Sequence, residues 1–287
     1  MKLSCILLFA SCLAACAETE EQINKRFAVQ PGGKIVVDVD FGSIAISTNA
    51  TSEVVVDVFR KISRGSKSDE EAFLRDRPVT FSQDGNSITI HSRANSKLTL
   101  TWRRSQRVEG KFTITVPAAF HAQLKTSGGG IAVSDLTGEV KAGTSGGGLR
   151  FTRLHGTLDG DTSGGSVVVK DFRGPAQVGT SGGGITIENV TGKVDGSTSG
   201  GSISARFSSP LSEAVKLESS GGGVTVRLAE TSAFNLDASS SGGSVSSDLP
   251  VTVVGRIARD HLKGAVNGGG KPMVLRASGG GIHVRKL

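Results

Sequence analysis

The chain has 287 residues, enough for one large domain or two small ones, and its formal net charge is +7. It contains 40 Gly, one Trp and no Tyr, while β-branched residues are abundant. This composition favours an all-β protein with many tight turns over a disordered chain. The positive charge is moderate, and ordinary solubilising charge is enough to account for it.

Residues 1–15 have the pattern of a secretory signal peptide: Lys2, a short apolar run and small residues before Cys16. The apolar run is shorter than the roughly 20 residues that span a bilayer. The stretch LAAC that ends at Cys16 resembles the lipobox of bacterial lipoproteins, which implies cleavage before Cys16 and acylation of its thiol and amine. An ordinary signal peptide with a chance cysteine is the alternative.

We therefore expect an extracytoplasmic protein that is held on the membrane by a lipid at Cys16, with residues 16–29 as a tether. Ala17 in place of Asp favours the outer membrane in a bacterium that has one. Cys5 and Cys12 lie in the cleaved segment, so no disulfide is expected. Anionic lipid, lipopolysaccharide or acidic wall polymer are better neighbours for such a protein than nucleic acid, which we do not expect as a partner.

Residues 30–125 contain many alternating or apolar runs, such as KIVVDVD and KFTITVP, and these predict strands. An acidic start, two apolar residues and a Pro stop predict one short helix near residues 68–77. Both a separate sandwich and the irregular first coils of a longer stack fit this region. We favour continuity, because residues 39–56 already resemble one coil.

The densest basic cluster is WRRSQR, with Trp102, Arg103, Arg104 and Arg107. These residues are candidates for contact with the phosphates of lipid or lipopolysaccharide. A solvated loop between two strands is the alternative interpretation.

A repeat dominates residues 126–218: TSGGGIAV at Thr126 returns in similar form every 18 residues. The later copies begin at Thr144, Thr162, Thr180 and Thr198. Counting each Thr as position one, positions six and eight are mostly aliphatic and position nine is polar. In the four complete copies, position eleven is apolar and position thirteen is Gly. Alternation with a period of two is typical of a strand with one buried face.

The repeat predicts an all-β, single-stranded β-solenoid, similar to a β-helix or β-roll, with coils of about 18 residues and Gly-rich corners. We expect glycine at the corners because it reaches positive φ without strain, and hydroxyl groups that bond to neighbouring coils. Residues 219–287 carry degenerate copies at Ser219, Ser240 and Ala277. They are expected to form less regular C-terminal coils and a cap, with the last strand at the end of the stack.

From about residue 30 to the C-terminus, the chain resembles the bacterial DUF4097 family, which is described as candidate adhesins with β-strand repeats. The stretch FTITVP, the serial SGGGI corners, the strand-helix-strand region and the final SGGGIHV carry this resemblance. It implies an extracytoplasmic β-solenoid and an adhesin-like role, and it brings no catalytic residues.

Other chemistry has weaker support. The 18-residue period equals two calcium-binding nonapeptides, but position ten is Asp135, Arg153, Asp171 and Asn189, which does not supply the oxygen ligands that Ca²⁺ needs. The five His residues are scattered, so we expect no metal and no cofactor. A carbohydrate-active enzyme would need paired carboxylates on one face, for which Asp135 and Asp171 are the candidates. A row of stacked Thr residues also occurs in ice-binding solenoids, but here it falls at a corner.

The sequence thus favours a non-catalytic, adhesin-like surface or scaffold module that binds a glycan or a protein through a solenoid face. An envelope structural or signalling partner without an adhesive role is the first alternative, and a carbohydrate-active β-helix enzyme is the second.

Overall fold

A computed structural model describes residues 18–63, 66–94, 107–253 and 258–287. Within these ranges the protein is all-β, as predicted, with one helix. The elements are β1 (Glu18–Ala28), β2 (Gly33–Val39), β3 (Ser43–Asn49), β4 (Glu53–Ser63), α1 (Lys67–Asp76), β5 (Thr80–Asp84), β6 (Ser87–Ser92), β7 (Arg107–Pro117), β8 (Phe120–Thr126), β9 (Ile131–Ser134), β10 (Thr137–Thr144), β11 (Leu149–Thr152), β12 (His155–Thr162), β13 (Val167–Arg173), β14 (Ala176–Thr180), β15 (Ile185–Thr191), β16 (Val194–Thr198), β17 (Ile203–Phe207), β18 (Val215–Ser219), β19 (Val224–Leu228), β20 (Phe234–Ser240), β21 (Val245–Ser247), β22 (Val251–Thr252), β23 (His261–Val266), β24 (Lys271–Ala277) and β25 (Ile282–Lys286).

The strands stack in two ladders, and in the repeats the chain alternates between them. The first ladder has the order β5-β6-β2-β8-β10-β12-β14-β16-β18-β24-β20-β23-β22 and is parallel from β6 to β20. The second has the order β1-β4-β7-β3-β9-β11-β13-β15-β17-β19-β25-β21 and is parallel from β7 onward. Equivalent repeat positions therefore lie side by side: Val140 pairs with Leu158, and Ile185 with Ile203.

Chain order and stacking order differ at both ends. At the N-terminal end, β2 lies between β6 and β8, and β3 lies between β7 and β9. At the C-terminal end, β24 lies between β18 and β20, and β25 lies between β19 and β21. The expectation that the last strand ends the stack is therefore wrong.

The physical reason is a turn at Asn267-Gly268-Gly269, where all three residues have positive φ. This turn brings the chain from β23, on one side of β20, to β24 on the other side. The Asn267 side-chain amide donates to the backbone carbonyls of Glu230 and Ser232 and so holds the turn against the body.

The segment expected as a tether, residues 16–29, is mostly structured from Glu18 onward. Its residues 18–28 form β1, which pairs antiparallel along its whole length with β4. Arg60 on β4 is buried and forms an ion pair with Glu21 of β1. The helix α1 lies within one residue of the predicted 68–77, and the Ser66 hydroxyl caps it by accepting from the Asp69 backbone N–H.

The core lies between the two ladders. Positions six, eight, eleven and fifteen of the four complete repeats are all buried, as alternation predicts. Val245 and Ser247 occupy positions six and eight of a degenerate copy but are only partly buried, because β21 is the last strand of its ladder.

The corner Thr residues join consecutive coils. Thr162 is buried, and its hydroxyl donates to the Gly147 carbonyl of the preceding coil at 2.7 Å. The same oxygen accepts from the Gly165 N–H of its own coil at 3.3 Å. Thr144, Thr180 and Thr198 repeat both bonds. The hydroxyl groups therefore bond between coils as expected, and a buried Thr row cannot present itself to ice.

The corner glycines are needed for a different reason from the expected one. None of the glycines of the SGGG corners has positive φ. A Cβ on Gly165 would instead lie 2.2 Å from the Gly147 carbonyl oxygen. Close backbone approach between stacked coils excludes any side chain there. Positive φ occurs at Gly138, Gly156, Gly174 and Gly192, and also at the non-glycine residues of position ten.

We expect Gly165→Ala to lower the free energy of unfolding by about 3 kcal/mol, because the methyl group would force two backbones apart. Gly143→Ala is the matched control, since a Cβ there meets no atom within 4 Å. The control should change stability by no more than about 0.5 kcal/mol. Urea unfolding of both variants measures the difference, and equal unfolding midpoints would contradict this account of the corners.

Candidate functional site

The outward face of the first ladder carries charges of both signs. Lys141, Asp159, Gln177, Asp195 and Lys216 follow one another at the same register position on neighbouring strands. Lys141 also forms an ion pair with Glu139, and Lys216 with Glu218. The two Lys and two Asp of this row are therefore balanced in charge, and both Lys have ion-pair partners.

The outward face of the second ladder is not balanced. At position nine, Lys170 and Glu188 form an ion pair of 2.8 Å, and the next three strands carry Arg206, Arg227 and Arg285. We call these three residues the arginine row. Each alternates with buried neighbours on its strand, so each points outward.

The arginine row lies between two carboxylates, Glu188 and Asp248, but forms no ion pair with either of them. No ion pair or side-chain hydrogen bond joins any of the three guanidinium groups to a described residue. Glu188, one strand before Arg206, is paired with Lys170 instead. Asp248 lies beside Arg285 on the strand side away from Arg227, and its backbone N–H donates to the Val284 carbonyl. The Asp248 carboxylate and the Arg285 guanidinium form no ion pair. Like charges on adjacent strands are destabilising.

Hydroxyl groups and a histidine lie beside the row. Ser204, Thr225 and His283 are in register two positions before the three arginines. His283 Nδ1 lies 2.8 Å from the Ser246 hydroxyl oxygen on the next strand. The surface thus combines guanidinium donors with neutral polar groups, which suits oxyanions and sugar hydroxyls.

A trough of about 690 Å³ runs along the Thr-Ser corners. Asp161 lies within it between Gly143 and Gly179, which occupy the same register position on the neighbouring strands. Burial raises the pKa of the Asp161 carboxyl above its ordinary value, and Asp159 adds to this. Among the described residues, Asp161 is the one carboxylate that lines the trough, whereas glycoside hydrolysis uses a pair of carboxylates.

The carboxylates considered for an enzyme are engaged in structural contacts. Arg153 makes a bidentate contact to Asp135, with distances of 2.6 and 2.9 Å, and lowers the pKa of that carboxyl. Asp171 accepts a hydrogen bond of 3.0 Å from the Asn189 side chain. All four residues have positive φ, so position ten is a tight turn whose side chains bond to one another.

Four of the predicted site residues, Cys16, Trp102, Arg103 and Arg104, lie outside the described residues. Arg107 is the first residue of β7, where it is exposed and pairs with Ser63. In the described ranges, no group of three or more His, Cys, Asp or Glu residues is placed to hold a metal ion. No helix in those ranges is long and apolar enough to cross a membrane.

Sequence reasoning did not find the arginine row. Alignment of the repeats does place Arg206, Arg227 and Arg285 at the same repeat position. They are adjacent because β25 pairs with β19. The sequence does not indicate this pairing, since Arg227 and Arg285 are 58 residues apart.

Three solved structures are similar to this chain at low sequence identity. A candidate adhesin from Bacteroides fragilis is 13% identical, with 93% of this chain and 97% of that chain covered and a TM-score of 0.47. A candidate adhesin from Parabacteroides distasonis is also 13% identical, with the same coverage and a TM-score of 0.43. A candidate lipid-binding protein from Parabacteroides distasonis is 10% identical, with 93% and 96% covered and a TM-score of 0.39.

No curated protein matches the chain. The sequence model of the Toastrack DUF4097 family matches residues 33–285, which is most of the chain. This protein therefore belongs to the Toastrack DUF4097 family.

Proposed function

We propose that this protein is a non-catalytic, extracytoplasmic binding module that holds a glycan or a protein on the outward face of its second ladder, as an adhesin does. The observation that carries the proposal is the arginine row, three adjacent guanidinium groups that form no ion pair with a described residue, on the outward face of stacked strands. The first ladder supports the choice of face by contrast, because its charges are balanced.

The scaffold of this module is a single-stranded β-solenoid in our proposal. Parallel pairing at a constant 18-residue offset supports it, as do the Thr hydroxyls that join each coil to the next. Such a body is rigid and presents like positions in rows, which is how a repetitive ligand is contacted at several points.

A lipid on Cys16 holds the module on a bacterial membrane, with the outer membrane favoured. The chain enters strand β1 at Glu18, so the anchor joins the body almost directly. Glu18 pairs with Ser63, and Ser63 also pairs with Arg107, the last residue of the basic cluster. The start of β1 and Arg107 therefore lie at the same end of the neighbouring strands β1, β4 and β7. This position supports the basic cluster as a second contact to anionic headgroups.

Cys16→Ser is expected to move the protein from the membrane fraction to the soluble extracytoplasmic fraction, because the acyl chains would be lost. Fractionation followed by mass measurement of the mature protein tests this. A C16S protein that stays with the membrane and keeps the wild-type mass would contradict the anchor.

The binding face is tested with liposomes that carry the full-length lipidated protein, applied to immobilised glycans and purified envelope proteins. Wild-type liposomes should be retained by at least one ligand, and the triple variant Arg206→Ser, Arg227→Ser and Arg285→Ser should lose this retention. The control variant Lys141→Ser, Lys193→Ser and Lys216→Ser removes equal charge from the first ladder and should bind as wild type. Equal losses in both variants, or no retention of the wild type, would contradict the proposal.

A further inference from the structure

We propose that the ligand of the arginine row is a linear acidic polysaccharide, whose oxyanions are bound by Arg206, Arg227 and Arg285. This inference rests on the proposed function, since it assumes that the second ladder's face binds a ligand, and it adds the chemical class of that ligand.

The three positive charges of the arginine row repel one another. Three guanidinium groups stand on consecutive strands, which are separated by about 4.8 Å. Elsewhere the stack pairs opposite charges, as with Lys170 and Glu188 on the second ladder or Lys141 and Glu139 on the first. The row thus raises the free energy of the folded state, and an anion that lies across it would remove this repulsion. Sites that lower stability in this way are typical of function.

The arginine row runs along the stacking axis, perpendicular to the strands, because equivalent positions of parallel strands lie side by side. A single small anion can contact one or two of the three arginines. A linear polymer with regularly repeated oxyanions, laid along the axis, can contact all three at once, and guanidinium binds carboxylate, sulfate and phosphate in a bidentate manner.

The groups that surround the arginine row favour a polysaccharide over other polyanions. Ser204, Thr225 and His283 flank the arginines and provide hydrogen-bonding groups for sugar hydroxyls. Single-stranded nucleic acids are bound by stacking on aromatic side chains, yet Phe207, which follows Arg206 in the chain, is buried. A membrane surface would be met by exposed apolar side chains, and Leu287 is the one exposed large apolar residue in the described ranges.

The test uses full-length protein in a neutral detergent and measures binding to polygalacturonate, dextran sulfate, neutral dextran and monomeric galacturonic acid. Wild-type protein should bind one or both acidic polymers and not neutral dextran, and the two polymers distinguish carboxylate from sulfate. Because three contacts act together, the monomer should bind at least about 100-fold more weakly than the polymer.

The variant Arg206→Gln, Arg227→Gln and Arg285→Gln should bind the polymer at least about tenfold more weakly. It should also melt at the same or a higher temperature than wild type, because charge repulsion is removed. The matched control, Lys141→Gln, Lys193→Gln and Lys216→Gln, has the same net charge and should bind within about twofold of wild type.

Three results would overturn the inference. Equal weakening by both variants would show that net charge alone attracts the polymer. A lower melting temperature of the arginine variant would show that the row serves the fold. Tighter binding of DNA or of phosphatidylglycerol vesicles than of either acidic polymer, lost with the same arginines, would assign the row to another partner.

The same measurements separate this inference from the proposed function. Retention on a neutral glycan or a protein through the second ladder's face, with no binding to either acidic polymer, refutes the acidic ligand and leaves the binding function in place. Failure to bind any ligand refutes both.

Discussion

The structure depends on the hydrogen bonds of the corner hydroxyl, which joins each coil to the preceding one. Thr162 donates to the Gly147 carbonyl and accepts from the Gly165 N–H, and so satisfies polar groups of two backbones that approach too closely for any side chain. A buried carbonyl or N–H without a partner costs about 1–3 kcal/mol. Repetition of this one bond keeps the coils in register, and register in turn places all position-nine residues in one outward row.

The ends of the stack show how a repetitive body is closed. The first complete coil, β2 and β3, and the last, β24 and β25, both lie inside the ends of the stack. Strands β6 and β7 cover the first coil, and strands β20 and β21 cover the last. At the C-terminal end this arrangement places Arg285 beside Arg227. The chain reversal at Asn267-Gly268-Gly269, which closes the C-terminal end of the stack, therefore also brings the arginine row together.

The repeats could be predicted from the sequence because burial and close packing act on neighbours at a constant spacing. Ile131, Leu149 and Val167 share a buried position, and their common period of 18 residues gives the pairing. The insertion of β24 and β25 inside the C-terminal end could not be predicted, because it depends on the long segment between Ser240 and Ala277, which has no repeat. The role of glycine at the corners was misjudged for a related reason: close approach to Gly147 is a property of the neighbouring coil, and local conformational preference does not reveal it.

Hydrogen exchange at the Gly165 amide in Thr162→Val and Thr162→Ser tests the corner bond most directly. Ser keeps the hydroxyl, as Ser219 does naturally with the Gly201 carbonyl and the Gly222 N–H. The account predicts that Thr162→Val speeds exchange at Gly165 and lowers the free energy of unfolding by about 2 kcal/mol more than Thr162→Ser does. Equal exchange and equal stability in the two variants would show that the corner hydroxyl does not hold the coils together.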